Sequence, residues 1–574
     1  MDYTLKIGGA AGQGIQTIGD TLAKIFSRSG YHVFTHQDYE SRIRGGHNFY
    51  QIRFSDSPIV SSVEKIDLMI GLDKETITLH QDELSDQGLF IYDSAFLKQK
   101  AEGENFFDIP FESLAVEHGG KKVMANTVAV GSILGMLGMG LDILFDLLKA
   151  AFSKKGEDVI NGNIRAANAG YDYAVKECRR CAFSVPEVSS PKLLISGIEG
   201  IALGALASGC KFYSAYPMTP STGIMNFIAA RGNEYGIVIE QAEDEIAAIN
   251  MAIGASFAGV RAMTGTAGGG FALMVEGLSL AAMTETPVVI ALGQRPAPAT
   301  GFPTRTEQGD LLFALHTAHG EFPRIIFAPG TPEQAFHLTN KAFDLAEKYQ
   351  ITSIVIFDTY LADSTWTFDK LETENARYTD YRLRGEIFSK LQEYKRHAFS
   401  DSGVSPLAVP GDGPHVVVTD SDEHDEEGHI VEDAETRVRM VEKRLLKKVP
   451  LIRQEIAPPL VYGHADPEIL LTGWGWTYGV IKEAVDRLSE ERKIAMLHFS
   501  ELFPFPDPGK SDYLKLLTRA KFTVCIENNA TGQFARLMMA ETGYAFNAKI
   551  NKYDGRPFLR EELIGEINGH IGGL

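Results

Sequence analysis

Between residues 192 and 364 the chain repeats one unit, a short apolar run followed by a segment of helix length. The runs fall at residues 211–215, 236–240, 261–264, 287–292 and 351–357. They are apolar enough to be strands buried on both faces, which a parallel sheet flanked by helices requires. This stretch is therefore expected to be an α/β fold on a parallel sheet, with ligands at the carboxyl ends of its strands.

The 574 residues are too many for one core, and about 150 residues per domain suggests three or four units. Residues 1–182 alternate β-rich runs (4–7, 48–54, 67–71, 89–92) with a long helical region at 123–152 and read as a first α/β unit. Linker composition at 183–191 separates it from the unit at 192–366. Residues 367–458 hold a Pro/Gly/Asp-rich stretch, an acidic run and a charged helix near 434–448, and read as a connector. A smaller α/β unit occupies 459–574, with strands at 469–472 and 522–526.

Composition closes off several functions. The net charge of −20 argues against a nucleic-acid partner, since phosphate binding needs clustered Lys and Arg. Part of the excess is local, because residues 420–435 carry nine carboxylates. The Gly-interrupted apolar stretch 128–141 is shorter than the roughly 18 to 20 residues of a membrane span. With four cysteines, no disulfide framework and no leader pattern at Met1-Asp2-Tyr3, the expected location is cytoplasmic.

Four stretches carry candidate chemistry. In Tyr216-Pro217-Met218-Thr219-Pro220-Ser221-Thr222, Thr219 fits an N-cap and Pro220 the first helical position. Such a helix start is either ordinary capping or a site for an anion. Residues Glu240, Glu243, Asp244 and Glu245 precede an apolar helix. They either complement its dipole or include one desolvated carboxyl able to exchange protons near neutrality. The turn Thr264-Gly265-Thr266-Ala267-Gly268-Gly269-Gly270 permits close approach of a ligand or of another chain segment. In the Pro/Gly loop 294–310, Arg295 and Arg305 are candidates for a carboxylate clamp, with solvated loop arginines as the alternative.

Elsewhere the signals are weaker. Gly8-Gly9-Ala10-Ala11-Gly12-Gln13-Gly14 follows a strand, but its glycines depart from the dinucleotide order; read from Gly12, Thr17 takes the last glycine position and Asp38 the ribose position. Arg42, Arg44, Gly45 and Gly46 form a second basic, flexible stretch that is either a surface turn or a site for an anionic tail. Cys178 and Cys181 are a lone C-x-x-C, and Cys210 and Cys525 are isolated, so no iron–sulfur cluster is expected on this chain. His424 and His429 lie in the acidic run without recognised ligand spacing, which reads as a solvated linker, and no metal site is assigned.

Taken together, residues 216–221, Gln241-Ala242-Glu243 and the loop 294–310 resemble the α chain of 2-oxoacid:ferredoxin oxidoreductases. The resemblance spans nearly the whole chain. Gly8 to Ile15 with Arg44-Gly45-Gly46 look like the γ domain fused at the N-terminus, and Gly473 to Gly475 with Glu527-Asn528-Asn529 look like the second α domain. It implies a γ domain at 1–182, a pyrimidine-binding thiamine diphosphate-enzyme domain at 192–366, and a transketolase-C-like domain at 459–574. The connector resembles the 2-oxoglutarate branch.

The resemblance further implies that Tyr216, Pro217, Glu243 and Arg295 line the coenzyme, with Glu243 catalytic at the aminopyrimidine N1′. Thr219, Arg295, Thr304, Arg305 and Arg44 are implied as substrate contacts. The family's Gly-Asp-Gly motif needs an Asn about 25 to 30 residues on, coordinating Mg²⁺ through oxygen. Gly411-Asp412-Gly413 has none, because no Asn lies between Asn375 and Asn528. Mg²⁺ and a [4Fe–4S] cluster are thus expected on a β subunit, with coenzyme A as co-substrate, ferredoxin as acceptor, and a dimer of αβ heterodimers as the assembly. The alternatives are a pyruvate or indolepyruvate enzyme, an NAD-dependent dehydrogenase, and a non-catalytic docking subunit.

Overall fold

The computed structural model describes residues 1–40, 45–181 and 183–572. The chain forms two compact units, one of 1–195 with 364–371 and 559–562, the other of 196–363 with 372–558 and 563–574.

The first unit is a mixed sheet whose centre runs Leu84–Tyr92, Ile66–Gly71, Asp2–Ala11, Gly45–Ser55, His32–Tyr39. The strand Gly45–Ser55 pairs antiparallel with both Asp2–Ala11 and His32–Tyr39. That inserted strand contradicts a dinucleotide-type turn, in which the first two strands of the βαβ unit belong to one parallel sheet. Gly12 and Gly14 do adopt φ of +93° and +86°, and Gly14 precedes the helix Ile15–Ser29. The apolar stretch at 128–141 is a buried helix, Ala125–Leu137, packed on Glu157–Glu177. Glycines bring the two together: a Cβ on Gly131 would lie 2.1 Å from the Ala167 carbonyl oxygen, and one on Gly170 2.2 Å from that of Val128. Among the described residues no helix is long and apolar enough to cross a membrane. Although no disulfide framework was expected, Cys178 and Cys181 are joined, because the end of the Glu157–Glu177 helix turns one cysteine back onto the other.

The second unit carries a seven-stranded sheet in the order Glu501–Phe503, Arg324–Phe327, Thr352–Asp358, Val288–Gln294, Arg261–Ala267, Cys210–Ala215, Val238–Gln241. Every pairing is parallel except that of the short edge strand Glu501–Phe503. The expected strands are present, and Arg261–Ala267 and Val288–Gln294 are buried along their whole length. A five-stranded sheet follows, Leu460–Gly463, Ile494–Phe499, Ile469–Trp474, Phe522–Glu527, Ala548–Asn551, parallel but for its first strand. Leu292, Ile326 and Ile356 of the larger sheet share one core with Leu470, Leu497 and Phe499 of the smaller.

The solvated-linker expectation for the acidic run fails at His424, although His429 is exposed as expected. His424 is fully buried, and so are Arg396, His397, Lys443 and Lys448. They gather around Glu285, whose carboxylate accepts from Lys443, Lys448 and His397 Nδ1, the last at 3.2 Å. Burial alone would raise this carboxyl; the two ammonium groups and the imidazole overcome it and hold its pKa well below the usual range. The carboxylate they share lies far away in sequence, just after the helix Val275–Met283, so the run around His424 gave no sign of it.

Candidate active site

The loops of interest leave the carboxyl ends of adjacent strands. Val238–Gln241 runs parallel to Cys210–Ala215, with Ala215 opposite Gln241. The Ala242 N–H donates to the Ala215 carbonyl at 3.1 Å, which sets Glu243 beside Tyr216. Asp244 caps the helix Glu245–Phe257 by accepting from the Ala247 N–H at 2.7 Å. Of the four acids here Glu245 is the buried one, against Gly270, where a Cβ would lie 2.4 Å from its Oε1. Glu240 and Glu243 are exposed, and Glu243 makes no hydrogen bond among the described residues.

The helix after Tyr216 begins at Thr222, not at Pro220, so Thr219 is not its N-cap. The Thr222 N–H and the Ser221 hydroxyl both turn back to the Met218 carbonyl, at 3.2 and 2.8 Å, and make a tight turn first. Pro220 packs on Gly293 of the strand Val288–Gln294, where a Cβ would lie 2.6 Å from the proline ring. The turn leaves the Thr219 carbonyl pointing to Arg295, whose Nη1 donates to it at 2.9 Å.

The loop 295–310 is held from both sides. At its start the chain doubles back, with the Phe302 N–H donating to Pro296 at 3.1 Å around Gly301, whose φ is +54°. A Cβ on Gly301 would meet the Pro296 oxygen at 1.8 Å, so glycine is required there. At its end Gln308 bridges to the smaller sheet, donating to the Trp474 carbonyl at 2.8 Å and accepting from the Asn528 N–H at 2.9 Å. Asn529 donates to the Gln308 carbonyl at 3.2 Å. Glu527-Asn528-Asn529 is therefore a brace for this loop.

The doubled-back loop gives Arg295 and Arg305 different neighbours. Burial lowers the pKa of Arg295, and Asp310 partly restores it. Arg305 falls to about 10 through burial and the nearby charge of Arg556, and its Cβ lies against Gly555. Thr304 is half-buried between them in sequence. Arg44 lies outside the described residues.

Two acids that were not singled out in the sequence belong to the same loop. Burial raises Asp310 to about 6, against the lowering effect of Arg295, and raises Glu307 to about 7, with Asp310 adding to it. The only sequence signal was their position, shortly after two arginines in a loop at a strand end. Asp412 of the Gly-Asp-Gly decoy accepts from the Gly385 N–H at 3.3 Å and faces Arg384.

Several large apolar side chains on the elements that form or follow these strands are uncovered. Tyr216, Val238, Ile246, Met251, Leu273 and Phe302 are 40 to 60% exposed. Val238–Gln241 is also the last strand of its sheet, with one edge unpaired. Exposed large apolar groups on the elements next to a strand edge suit a surface that a partner covers.

Comparison with known proteins places these features in context. Residues 203–443 match the family described as pyruvate flavodoxin/ferredoxin oxidoreductase, thiamine diphosphate-binding, and residues 4–173 match pyruvate ferredoxin/flavodoxin oxidoreductase. The chain is 33% identical to a 2-oxoacid:ferredoxin oxidoreductase subunit alpha of Saccharolobus solfataricus, over 98% of this chain and 97% of that one. It is 27% identical to a 2-oxoglutarate oxidoreductase subunit KorA of Mycobacterium tuberculosis, over 100% of this chain and 92% of the other. Its fold matches a 2-oxoglutarate:ferredoxin oxidoreductase of Magnetococcus marinus, solved with 2-oxoglutarate, coenzyme A and succinyl-CoA bound, with a TM-score of 0.90 at 30% identity and 99% coverage of both chains.

Proposed function

Because the chain belongs to the 2-oxoacid:ferredoxin oxidoreductase α subunits, we propose that it forms one half of an active centre that a β subunit completes. The reaction is the oxidative decarboxylation of 2-oxoglutarate onto coenzyme A to give succinyl-CoA and CO₂, with the electrons leaving to ferredoxin. The Magnetococcus marinus and Mycobacterium tuberculosis relatives, with their 2-oxoglutarate names, support that substrate.

One observation carries the proposal: Glu243 is an exposed carboxyl without a hydrogen bond among the described residues, at the strand end next to the exposed Tyr216. The residues fit the aminopyrimidine end of thiamine diphosphate, with Tyr216 and Pro217 as apolar wall and Glu243 as hydrogen-bond partner for N1′. When bound, the coenzyme supplies the sink for the electron pair that CO₂ leaves behind. Glu243 holds the proton at N1′, and covering by the partner excludes water and raises the leverage of that one hydrogen bond.

Arg295 spends one donor of its planar fork on the Thr219 carbonyl and keeps others for the carboxylate that will leave. Thr219 and Thr304 line the same approach. Arg305 with Arg556 supplies positive charge for the second carboxylate of a dicarboxylic oxoacid. Mg²⁺ and the iron–sulfur cluster belong to the β subunit, and the working assembly is a dimer of αβ heterodimers in the cytoplasm.

The test is reconstitution with a smaller cysteine-rich partner and a substrate series. Coenzyme A-dependent ferredoxin reduction should be fastest with 2-oxoglutarate. Faster turnover of pyruvate or indolepyruvate would move the chain to another branch, and nicotinamide reduction without ferredoxin would refute the reading.

A further inference from the structure

A cluster in the first unit is unused by the reaction above. His47 on the strand Gly45–Ser55 is 9% exposed, and its Nε2 lies 2.8 Å from Nε2 of His80. The other nitrogen of His80, Nδ1, lies 2.8 Å from Glu83 Oε1, and Glu83 is also paired with Lys6. An ionised carboxylate only accepts, so the His80 proton sits on Nδ1 and its Nε2 offers a lone pair. With His80 neutral, His47 donates from Nε2 and keeps a lone pair on its Nδ1.

That Nδ1 is buried and has no hydrogen-bond partner among the described residues. A lone pair left unpaired in a buried position costs stability unless something occupies it. The ligand atoms of His47, Asp73 and Glu75 lie within 4.8 Å of one another. Asp73 spends Oδ1 on capping, accepting from the Thr76 N–H at 2.8 Å and its hydroxyl at 2.7 Å, and keeps Oδ2. Glu75 is exposed and free to swing in. Glu40 adds a third carboxylate, accepting from the His47 N–H at 2.8 Å. The cluster comes together across the first strand because residue 8 is glycine; a Cβ there would lie 2.5 Å from Thr76 Cγ2 and 3.3 Å from His47 Cε1.

We propose that His47, Asp73 and Glu75 bind one divalent cation of borderline hardness, Zn²⁺ being the type, with water completing the shell. One imidazole and two carboxylates suit that class better than Mg²⁺ or Ca²⁺, which take oxygen alone. The chain from His47 through His80 to Glu83 is the support a metal-bound imidazole normally has, fixing its tautomer and raising its basicity. The ion ties the strand carrying His47 to the turn that follows Ile66–Gly71.

The test uses the full chain with its cysteines oxidised, stripped with chelator and dialysed against Zn²⁺. Wild type should retain about one equivalent and melt at a higher temperature with Zn²⁺ than without it. Glu75→Gln, on the surface and safe for folding, should lose both effects, and His80→Ala should weaken binding roughly 10- to 100-fold. If wild type retains no Zn²⁺, or if both variants bind it as wild type does, the site is refuted.

Discussion

Glu243 and Glu285 belong to the same α/β unit, and their surroundings are opposite. Glu285 is 1% exposed and meets two lysines and a histidine supplied by the same chain. Glu243 is exposed, without a hydrogen bond among the described residues, on a strand end at the edge of its sheet. A carboxylate whose compensation is complete within the chain contributes to the fold. One whose surroundings are half-built is available to an incoming group.

Exchanging the two roles by mutation is the way to break this contrast. Glu243→Gln should cut turnover of the reconstituted enzyme roughly 10²- to 10⁴-fold, the range of a positioned proton-handling group, with the melting temperature of the chain unchanged. Glu285→Gln should do the reverse. Removing one partner of a buried ion cluster costs about 3 to 5 kcal/mol, read as a lower denaturation midpoint, with per-molecule turnover retained in whatever folds. The pH dependence carries the same signature. Glu285 has a lowered folded pKa, so its contribution is present above the ordinary carboxylate range and is lost as pH falls toward that lowered value. Acid unfolding of Glu285→Gln should therefore be less steep than that of wild type.

Smaller effects sharpen the account of the open side. Arg295→Ala should raise KM for the oxoacid roughly 10- to 100-fold, the value of a charge-assisted hydrogen bond, and an unchanged kcat/KM would remove Arg295 from the site. Asp310, raised to about 6, competes for that guanidinium when ionised. Protonation frees the arginine, so KM should fall a few-fold between pH 7 and pH 5 in wild type. In Asp310→Asn it should be low and flat across that range.

How far the sequence revealed this depended on the range of the interaction. Buried parallel strands were legible because apolar runs report local burial, and the glycine turns because backbone space is a local need. Thr219 was misread as a cap because Thr-Pro before an apolar run is the local signature of one, whereas the Met218 carbonyl takes the donors and delays the helix to Thr222. His424 was misread as part of a solvated run because Glu285, far back in the chain, gathers His397, Lys443 and Lys448 near it, a contact that the local sequence does not report. Gln308 and Asn528 likewise gave no sign of each other, as their bond joins two sheets. Glu307 and Asp310 were visible as residues, but the burial that raises them was not.

The claim that Glu243 lies on a face completed by another polypeptide is tested most directly by amide hydrogen exchange of this chain with and without the β subunit. The account predicts strong protection at residues 216–219 and 238–248 on complex formation, with the Glu285 cluster equally slow in both states. Unaltered exchange at 238–248 in a fully active complex would contradict it.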